Sequence, residues 1–373
     1  MKKLAFGLMR LPQLDENDAT SIDIERVKGM ADTFMEAGFT YFDTAAPYHN
    51  KHSEIAFREA VAKRYPRESY TVADKLTIGM IDKAEDMPAF FDAQLERLGL
   101  EYIDIYLLHA LGTNSYAKAQ DFKAFEFAAQ KKAEGKVKHV GFSFHDSAEV
   151  LDQILTEHPE VEYVQLQINY LDWEDENVQS RKCYETVVKH GKKVLVMEPV
   201  KGGSLAVVSP EVEKLFKDYN ASASPASWAV RFCASLEHVV MVLSGMSNEE
   251  QIADNTSYMK DFVPLNEEEK AIVAKAAELI RNDIAIAIAC AGCAYCVEDC
   301  PKNIAIPDYF KLYNHMKQLQ GTTEKWDKAK YTKKAEERGK ASDCIECGVC
   351  EGHCPQHLNI RELLKDVAGV FEA

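Results

Sequence analysis

From residue 1 to about 258, short apolar runs alternate with longer stretches whose apolar residues recur at helical spacing. The runs at 4–8, 40–43, 71–75, 103–109, 137–143, 163–167, 193–197 and 239–243 are continuous rather than alternating. Continuous apolar runs suit parallel strands buried on both faces. The stretches at 24–37, 54–64, 89–98, 121–134 and 177–190 read as amphipathic helices between them. Eight β–α alternations predict an α/β fold, a closed (β/α)8 TIM barrel. The rival, a doubly wound open sheet, predicts Gly-x-Gly-x-x-Gly after the first strand, where the chain has Gly7-Leu8-Met9-Arg10. Residues 248–259 read as the last barrel helix. A further helix follows at 265–281, with Asn266 as its N-cap and Glu267, Glu268 and Glu269 at its positive end. The expected domains are a barrel over 1–264, a connecting helix over 265–283 and a smaller, mostly helical domain over 284–373.

Cysteine usage changes the picture at the C-terminal end, because eight of the ten cysteines follow residue 289. The first run is Cys290-x2-Cys293-x2-Cys296-x3-Cys300-Pro301, and the second is Cys344-x2-Cys347-x2-Cys350-x3-Cys354-Pro355. Such spacing wraps three thiolates around one cubane and gives the fourth to the other cluster. The implied sets are Cys290, Cys293, Cys296 and Cys354 for one [4Fe–4S] cluster, and Cys344, Cys347, Cys350 and Cys300 for the other. Zinc is the alternative, but tetrahedral zinc sites favour separated cysteine pairs over triplets with a trailing Cys-Pro. The 43 residues between Cys300 and Cys344 hold an amphipathic helix at 307–320 and a charged segment at 324–340. That length favours a mostly helical dicluster domain. Cys183 and Cys233 read as buried small hydrophobes.

The net charge of −16 argues against nucleic acid or an anionic membrane as partner. The apolar runs at 4–9 and 284–289 are too short for a signal peptide or a membrane span, so a cytoplasmic protein is expected. Lys325, Lys328, Lys330, Lys333, Lys334, Arg338 and Lys340 form a local basic surplus. A solvated helix face is the favoured reading of it; the sharper one is a docking site for an acidic ferredoxin or flavodoxin.

The candidate chemistry in the barrel begins at Phe42-Asp43-Thr44-Ala45-Ala46-Pro47-Tyr48-His49, a strand end that puts a carboxylate and a phenol on one loop. The signal gains weight only if Lys75 and His109 end neighbouring strands. Together with Asp74-Lys75, Leu107-Leu108-His109, Val140-Gly141-Phe142-Ser143 and Gln165-Leu166-Gln167-Ile168-Asn169, the stretch resembles the aldo-keto reductases over roughly residues 4–258. The cysteine runs, with 197–203 and Ser224-Pro225-Ala226, resemble the subgroup that carries a C-terminal dicluster ferredoxin-type domain.

The resemblance implies a catalytic set. Tyr48 would protonate a carbonyl oxygen as hydride reaches its carbon, Lys75 would ease that proton transfer, Asp43 would hold Lys75 charged, and His109 would orient the carbonyl. It also implies cofactor contacts. Ser143 and Gln165 match the positions that hold a nicotinamide carboxamide, although Phe144 stands where the family often has Asn. Met197 replaces the aromatic residue that stacks on the ring. Gly202 and Gly203 suit the pyrophosphate, with Gly7 a further contact. Ser244, Gly245, Ser247, Gln251 and Asn255 match the adenosine end. With Glu249 and Glu250 beside Gln251, NAD and NADP remain both open. The implied activity is NAD(P)H-dependent carbonyl reduction. Two alternatives stand beside it: a one-electron-coupled oxidoreductase whose barrel holds another redox group such as flavin, which no motif indicates, and clusters that are purely structural or redox-sensing. The substrate is a small carbonyl compound, with 110–120 and Trp173 expected to line its pocket.

Overall fold

A computed structural model describes residues 2–15, 18–282, 288–318 and 324–372 of the chain. Much of the apolar run at 284–289 and the end of the helix expected at 307–320 lie outside the described residues.

The strands are β1 (Leu4–Gly7), β2 (Tyr41–Asp43), β3 (Thr71–Leu76), β4 (Ile103–Leu111), β5 (Val137–Phe144), β6 (Tyr163–Gln167), β7 (Lys193–Met197) and β8 (Val239–Ser244). Each pairs in parallel with the next, and β1 pairs with β8, so the sheet closes into a barrel. Alternate strand residues point to opposite faces. Ala5, Tyr41, Ala73, Ile105, Leu107, Leu195, Met241 and Leu243 fill the interior as one buried cluster. The residues between them face the helices. Phe6 and Phe42 meet Phe34 of helix Ile24–Glu36 at ring-centroid distances of 5.7 and 5.5 Å, and Phe57 closes on Phe42 at 5.6 Å. Each fully buried ring contributes roughly 1.5–3 kcal/mol.

Two local expectations are corrected. The stretch 121–134 is not one helix. The chain turns at Lys123, whose φ is 55°, and separates helix Thr113–Asp121 from helix Ala124–Ala133. The segment 110–120, which a pocket-lining loop after β4 would leave irregular, is mostly helix, Thr113–Asp121.

The chain divides into two compact units. The first spans 1–174, 179–199 and 226–268. The second gathers 175–178, 200–225 and 269–373. It includes helices Ile306–Gln318, Glu324–Glu337 and Ile360–Phe371. Their core is Tyr309, Phe310, Tyr331, Ile360, Leu364 and Phe371, with Tyr331 stacked on Phe371 at 5.0 Å. Among the described residues no helix is long and apolar enough to cross a membrane.

Candidate active site

Strand parity turns Asp43, Lys75 and His109 inward, each two residues beyond a member of the interior cluster: Tyr41, Ala73 and Leu107. All three lie at, or within two residues of, the C-terminal ends of neighbouring strands and are buried. Lys75 Nζ donates to Asp43 Oδ1 (2.6 Å), to the Thr44 carbonyl (2.7 Å) and to Tyr48 OH (3.4 Å). The same ammonium lies 4.8 Å from the Tyr48 ring centroid. Asp43 Oδ2 accepts from Gln165 Nε2 (3.3 Å). Burial pushes the Asp43 carboxyl up, while Lys75 and Gln165 pull it down. Tyr48 opens a turn in which His49, Asn50 and Lys51 all have positive φ, at 49°, 50° and 71°. Three such residues in succession are sterically costly and persist only where the surroundings hold them. The His49 ring does so here: Nε2 accepts from Leu11 N–H (3.1 Å) and Nδ1 faces the Ala19 carbonyl (2.9 Å).

His109 sits where the β4–β5 register shifts, between Leu108 and Leu111. The irregularity frees the Ala110 N–H, which Ser143 Oγ accepts at 2.7 Å. His109 Nδ1 lies 3.0 Å from Thr77 Oγ1. Burial pushes the His109 imidazolium far down, with Lys75 and His145 adding repulsion, so the ring is neutral. Its edge meets the Tyr48 ring at 6.1 Å.

Behind Lys75 lies a network that sequence reasoning missed. Asp74 and Glu54 are fully buried and hydrogen-bonded to each other. Two carboxyl groups can bond only by sharing a proton, and burial followed by Glu54 pushes Asp74 well up. Arg97 clamps Glu54 through Nε and Nη2, the second at 3.2 Å. Gln94 Nε2 donates to Asp74 Oδ2 (3.0 Å) and to the Lys75 carbonyl (2.9 Å), and Tyr106 OH donates to Gln94 Oε1 (2.6 Å). The available signal was polar residues at 54 and 94 on the apolar faces of their helices.

The expected cofactor positions are placed unevenly. Gln165 and Ser143 stand beside Asp43 and Ala110, as described. Met197 pairs in register with Gln167. Gln167 Nε2 donates to Asp172 (2.9 Å), while its buried Oε1 has no partner. A side chain added at Gly7 or Gly245 would come within 3.4 Å of the Ser244 carbonyl or of Arg10. Ser244 and Asn255 are buried and bonded to each other (2.7 Å), and Asn255 also takes Tyr258 OH (2.5 Å). Gln251 folds back onto the Ser247 N–H (2.7 Å). Arg26 grips Glu249 through two nitrogens and holds its carboxyl down, to about 2. The acidic end beside Gln251 is thereby partly balanced. Trp173 packs edge-on against Phe232 at 5.6 Å, also beside Tyr184. Gly202 and Gly203 belong to the second unit. Gly202 has φ 63°, and a Cβ there would stand 2.2 Å from the Ala291 carbonyl oxygen; Gly203 faces open space.

In the second unit the eight cysteines sort into two concavities. One, of about 310 Å³ with open solvent included, is lined by Cys290, Cys293, Cys296 and Cys354. The other, of about 340 Å³ on the same measure, is lined by Cys300, Cys344, Cys347 and Cys350. These are the two crossed sets that the spacing implied. No cysteine is in a disulfide. Burial and neighbouring thiols push Cys296 up, and burial with Glu351 and Cys344 brings Cys350 to about 11. A cationic group bound among such thiols would favour their thiolate form. Among the described residues no group of three or more His, Cys, Asp or Glu is arranged to hold a single metal ion. Cys183 and Cys233 are buried, and burial raises both thiols, Cys183 to about 12.

Comparison with known proteins finds a match for each of these parts. The family model described as the aldo/keto reductase family matches residues 3–278, and a model described as a 4Fe-4S dicluster domain matches residues 289–359. An aldo-keto reductase from Mycolicibacterium smegmatis is 28% identical over 260 residues, 65% of this chain and 86% of that protein. A 9,11-endoperoxide prostaglandin H2 reductase from Trypanosoma cruzi is 27% identical over 271 residues, 71% of this chain and 87% of its own length. An aldo-keto reductase from Klebsiella pneumoniae, solved in complex with NADPH, shares the fold at a TM-score of 0.59 and 17% identity, covering 73% of this chain and 90% of that one. The chain belongs to the aldo/keto reductase family and carries a 4Fe-4S dicluster domain that follows the family match in the sequence.

Proposed function

We propose that the barrel reduces an aldehyde or ketone with a nicotinamide nucleotide, and that the second unit carries two [4Fe–4S] clusters on the crossed cysteine sets. The observation that carries the first half is one buried ammonium, Lys75 Nζ, touching both Asp43 Oδ1 and Tyr48 OH. A bound NADH or NADPH supplies the hydride for the carbonyl carbon. Tyr48 OH gives its proton to the carbonyl oxygen and regains one from solvent. A free phenol titrates near ~10, too high for ready exchange at neutral pH. The adjacent ammonium favours phenolate and so eases the transfer. Asp43 keeps that ammonium charged and in place. In the tautomer in which Nδ1 accepts from Thr77 Oγ1, neutral His109 carries its proton on Nε2 and offers it to the carbonyl oxygen.

The nucleotide finds complementary groups. Gln167 Oε1 is a buried acceptor without a partner, beside Met197 in the register, and suits an amide N–H such as the carboxamide's. Gln165 lies two residues earlier on the same strand, and Ser143 pairs in register with Gln165 from β5. At the adenosine end Ser247 and Gln251 are the proposed contacts. The related fold from Klebsiella pneumoniae holds NADPH, and Arg26 offers a guanidinium at this end. On helix Glu324–Glu337, Trp326 is exposed among basic residues, which supports docking of an acidic ferredoxin or flavodoxin there. Reversing Lys325, Lys328 and Lys330 slows electron exchange with such a carrier; an unchanged rate rejects the docking.

The experiment is anaerobic turnover with NADH and NADPH against a panel of carbonyl compounds, with iron counted. Tyr48→Phe is expected to lower kcat by roughly 10²–10⁴ at unchanged iron content. Wild-type turnover in that variant rejects the mechanism.

A further inference from the structure

The 200–225 segment of the second unit begins with a strained loop. Lys201 has φ 46° and is buried, and Gly202 comes so close to the Ala291 carbonyl that no side chain fits. Ala291 lies between Cys290 and Cys293. The loop is thus seated on the backbone that presents two thiols of the Cys290 set.

Lys201 Nζ donates to Gln356 Oε1 at 2.9 Å. Gln356 is 7% exposed and lines the same concavity as Cys290, Cys293, Cys296 and Cys354. An ammonium only donates, so the Gln356 oxygen must face Lys201. The amide nitrogen is then turned the other way. That Nε2 is buried and has no partner among the protein atoms. An unmet buried donor costs about 1–3 kcal/mol, so its pinned orientation needs a reason. Backbone N–H groups of Gln356 and Leu358 already face Cys354 Sγ, the His357 N–H is shared with the Cys354 carbonyl (3.0 Å), and the Gly292 N–H donates to Cys290 Sγ (3.3 Å). The surroundings of this cysteine set are built to donate to sulfur. At the other set, Arg361 lines the concavity but is taken by Glu351 (2.9 Å), and Cys347 is exposed.

We propose that Lys201 and Gln356 are a positioning pair that aims the Gln356 Nε2–H at a sulfur of the cluster held by Cys290, Cys293, Cys296 and Cys354, and so raises that cluster's reduction potential. Donation to a cluster sulfur, like a nearby cation, favours the more negative, reduced state. Lys201 contributes both by fixing the amide and by its own charge. The inference rests on the two-cluster reading above.

The test is a redox titration of the anaerobic full-length protein followed by electron paramagnetic resonance, with iron and sulfide counted per chain. Gln356→Met removes the donor at similar volume. One of two reduction waves is expected to fall, making that cluster about tenfold more oxidised at the wild-type midpoint, equivalent to about 59 mV for one electron. The other wave stays. Lys201→Met moves the same wave in the same direction, and Lys201→Arg restores it. Both waves unchanged at full iron content, or both shifting together, overturns the proposal. If Gln356→Met sheds iron, the Lys201→Met and Lys201→Arg pair decides, and equal midpoints overturn it. A wild-type count well short of two clusters rejects the two-cluster reading itself, which is a separate failure.

Discussion

In the barrel, the charges at the strand ends find their counterparts within the protein: Lys75 on Asp43, Arg97 on Glu54, Asp74 sharing a proton. In the second unit the thiols of each set face one another, and burial with mutual repulsion pushes Cys296 and Cys350 toward the protonated form. The first site is organised by its own side chains before any cofactor arrives. The second, on the two-cluster reading, is a set of ligands whose ionised form depends on metal. The barrel's geometry should therefore survive cofactor removal, and that of the cysteine loops should not.

Iron removal tests this contrast most strongly. Cys296→Ser is expected to cost about half the iron and to open the second unit to protease, while far-ultraviolet circular dichroism of the barrel persists. Loss of both units together would break the comparison. Within the barrel, Glu54→Ala leaves Arg97 and Asp74 without their shared partner and is expected to cost about 3–5 kcal/mol, read from denaturant unfolding. A variant of unchanged stability would show that the network does not hold the strand under Lys75. Arg26→Ala removes the guanidinium at the adenosine end. A loss of about one ion pair's value would lower kcat/KM for NADPH roughly fivefold against NADH; an unchanged ratio removes Arg26 from that role.

The smallest effect concerns pH. His109 has a folded-state pKa below its ordinary 6.5. The unfolded chain takes up a proton as pH falls through about 6.5, and the folded chain does not. The neutral ring's contribution is therefore complete above that pH and declines below it, by up to about 1.4 kcal/mol per pH unit. His109→Gln should flatten the acid limb of the stability profile. An identical slope would mean that the ring is not held neutral.

Much of this was legible in the chain. Continuous apolar runs located all eight strands to within two residues at either end, because strands buried on both faces leave little freedom in composition. The sorting of the eight cysteines into two concavities follows the Cys-x2-Cys-x2-Cys-x3-Cys-Pro spacing. Parity then explains why Asp43, Lys75 and His109 converge. What stayed hidden depends on tertiary neighbours. Thr77 is an ordinary threonine until the β4 irregularity turns His109 toward it. Asp74 and Glu54 lie 20 positions apart on separate elements, and nothing in the sequence pairs them. That Ser244 and Asn255 bond to each other is likewise not legible in the sequence. Gln356 carries no motif at all, and only an ammonium 155 positions earlier gives its amide a direction.

The path of the chain between β7 and β8 has a consequence for how such a protein is made. The ribosome releases seven barrel strands, then 26 residues, 200–225, that belong to the other unit, and only then β8. Those residues wait for partners encoded downstream, since Ala291 and Gln356 are synthesised later. A gene cut after residue 264 would yield every strand of the sheet and still leave this segment without its seat. The reductase and the ferredoxin-type domain are consecutive in the gene but interleaved in the fold, so neither is a portable module, and a transplant has to carry the segment at 200–225 with it.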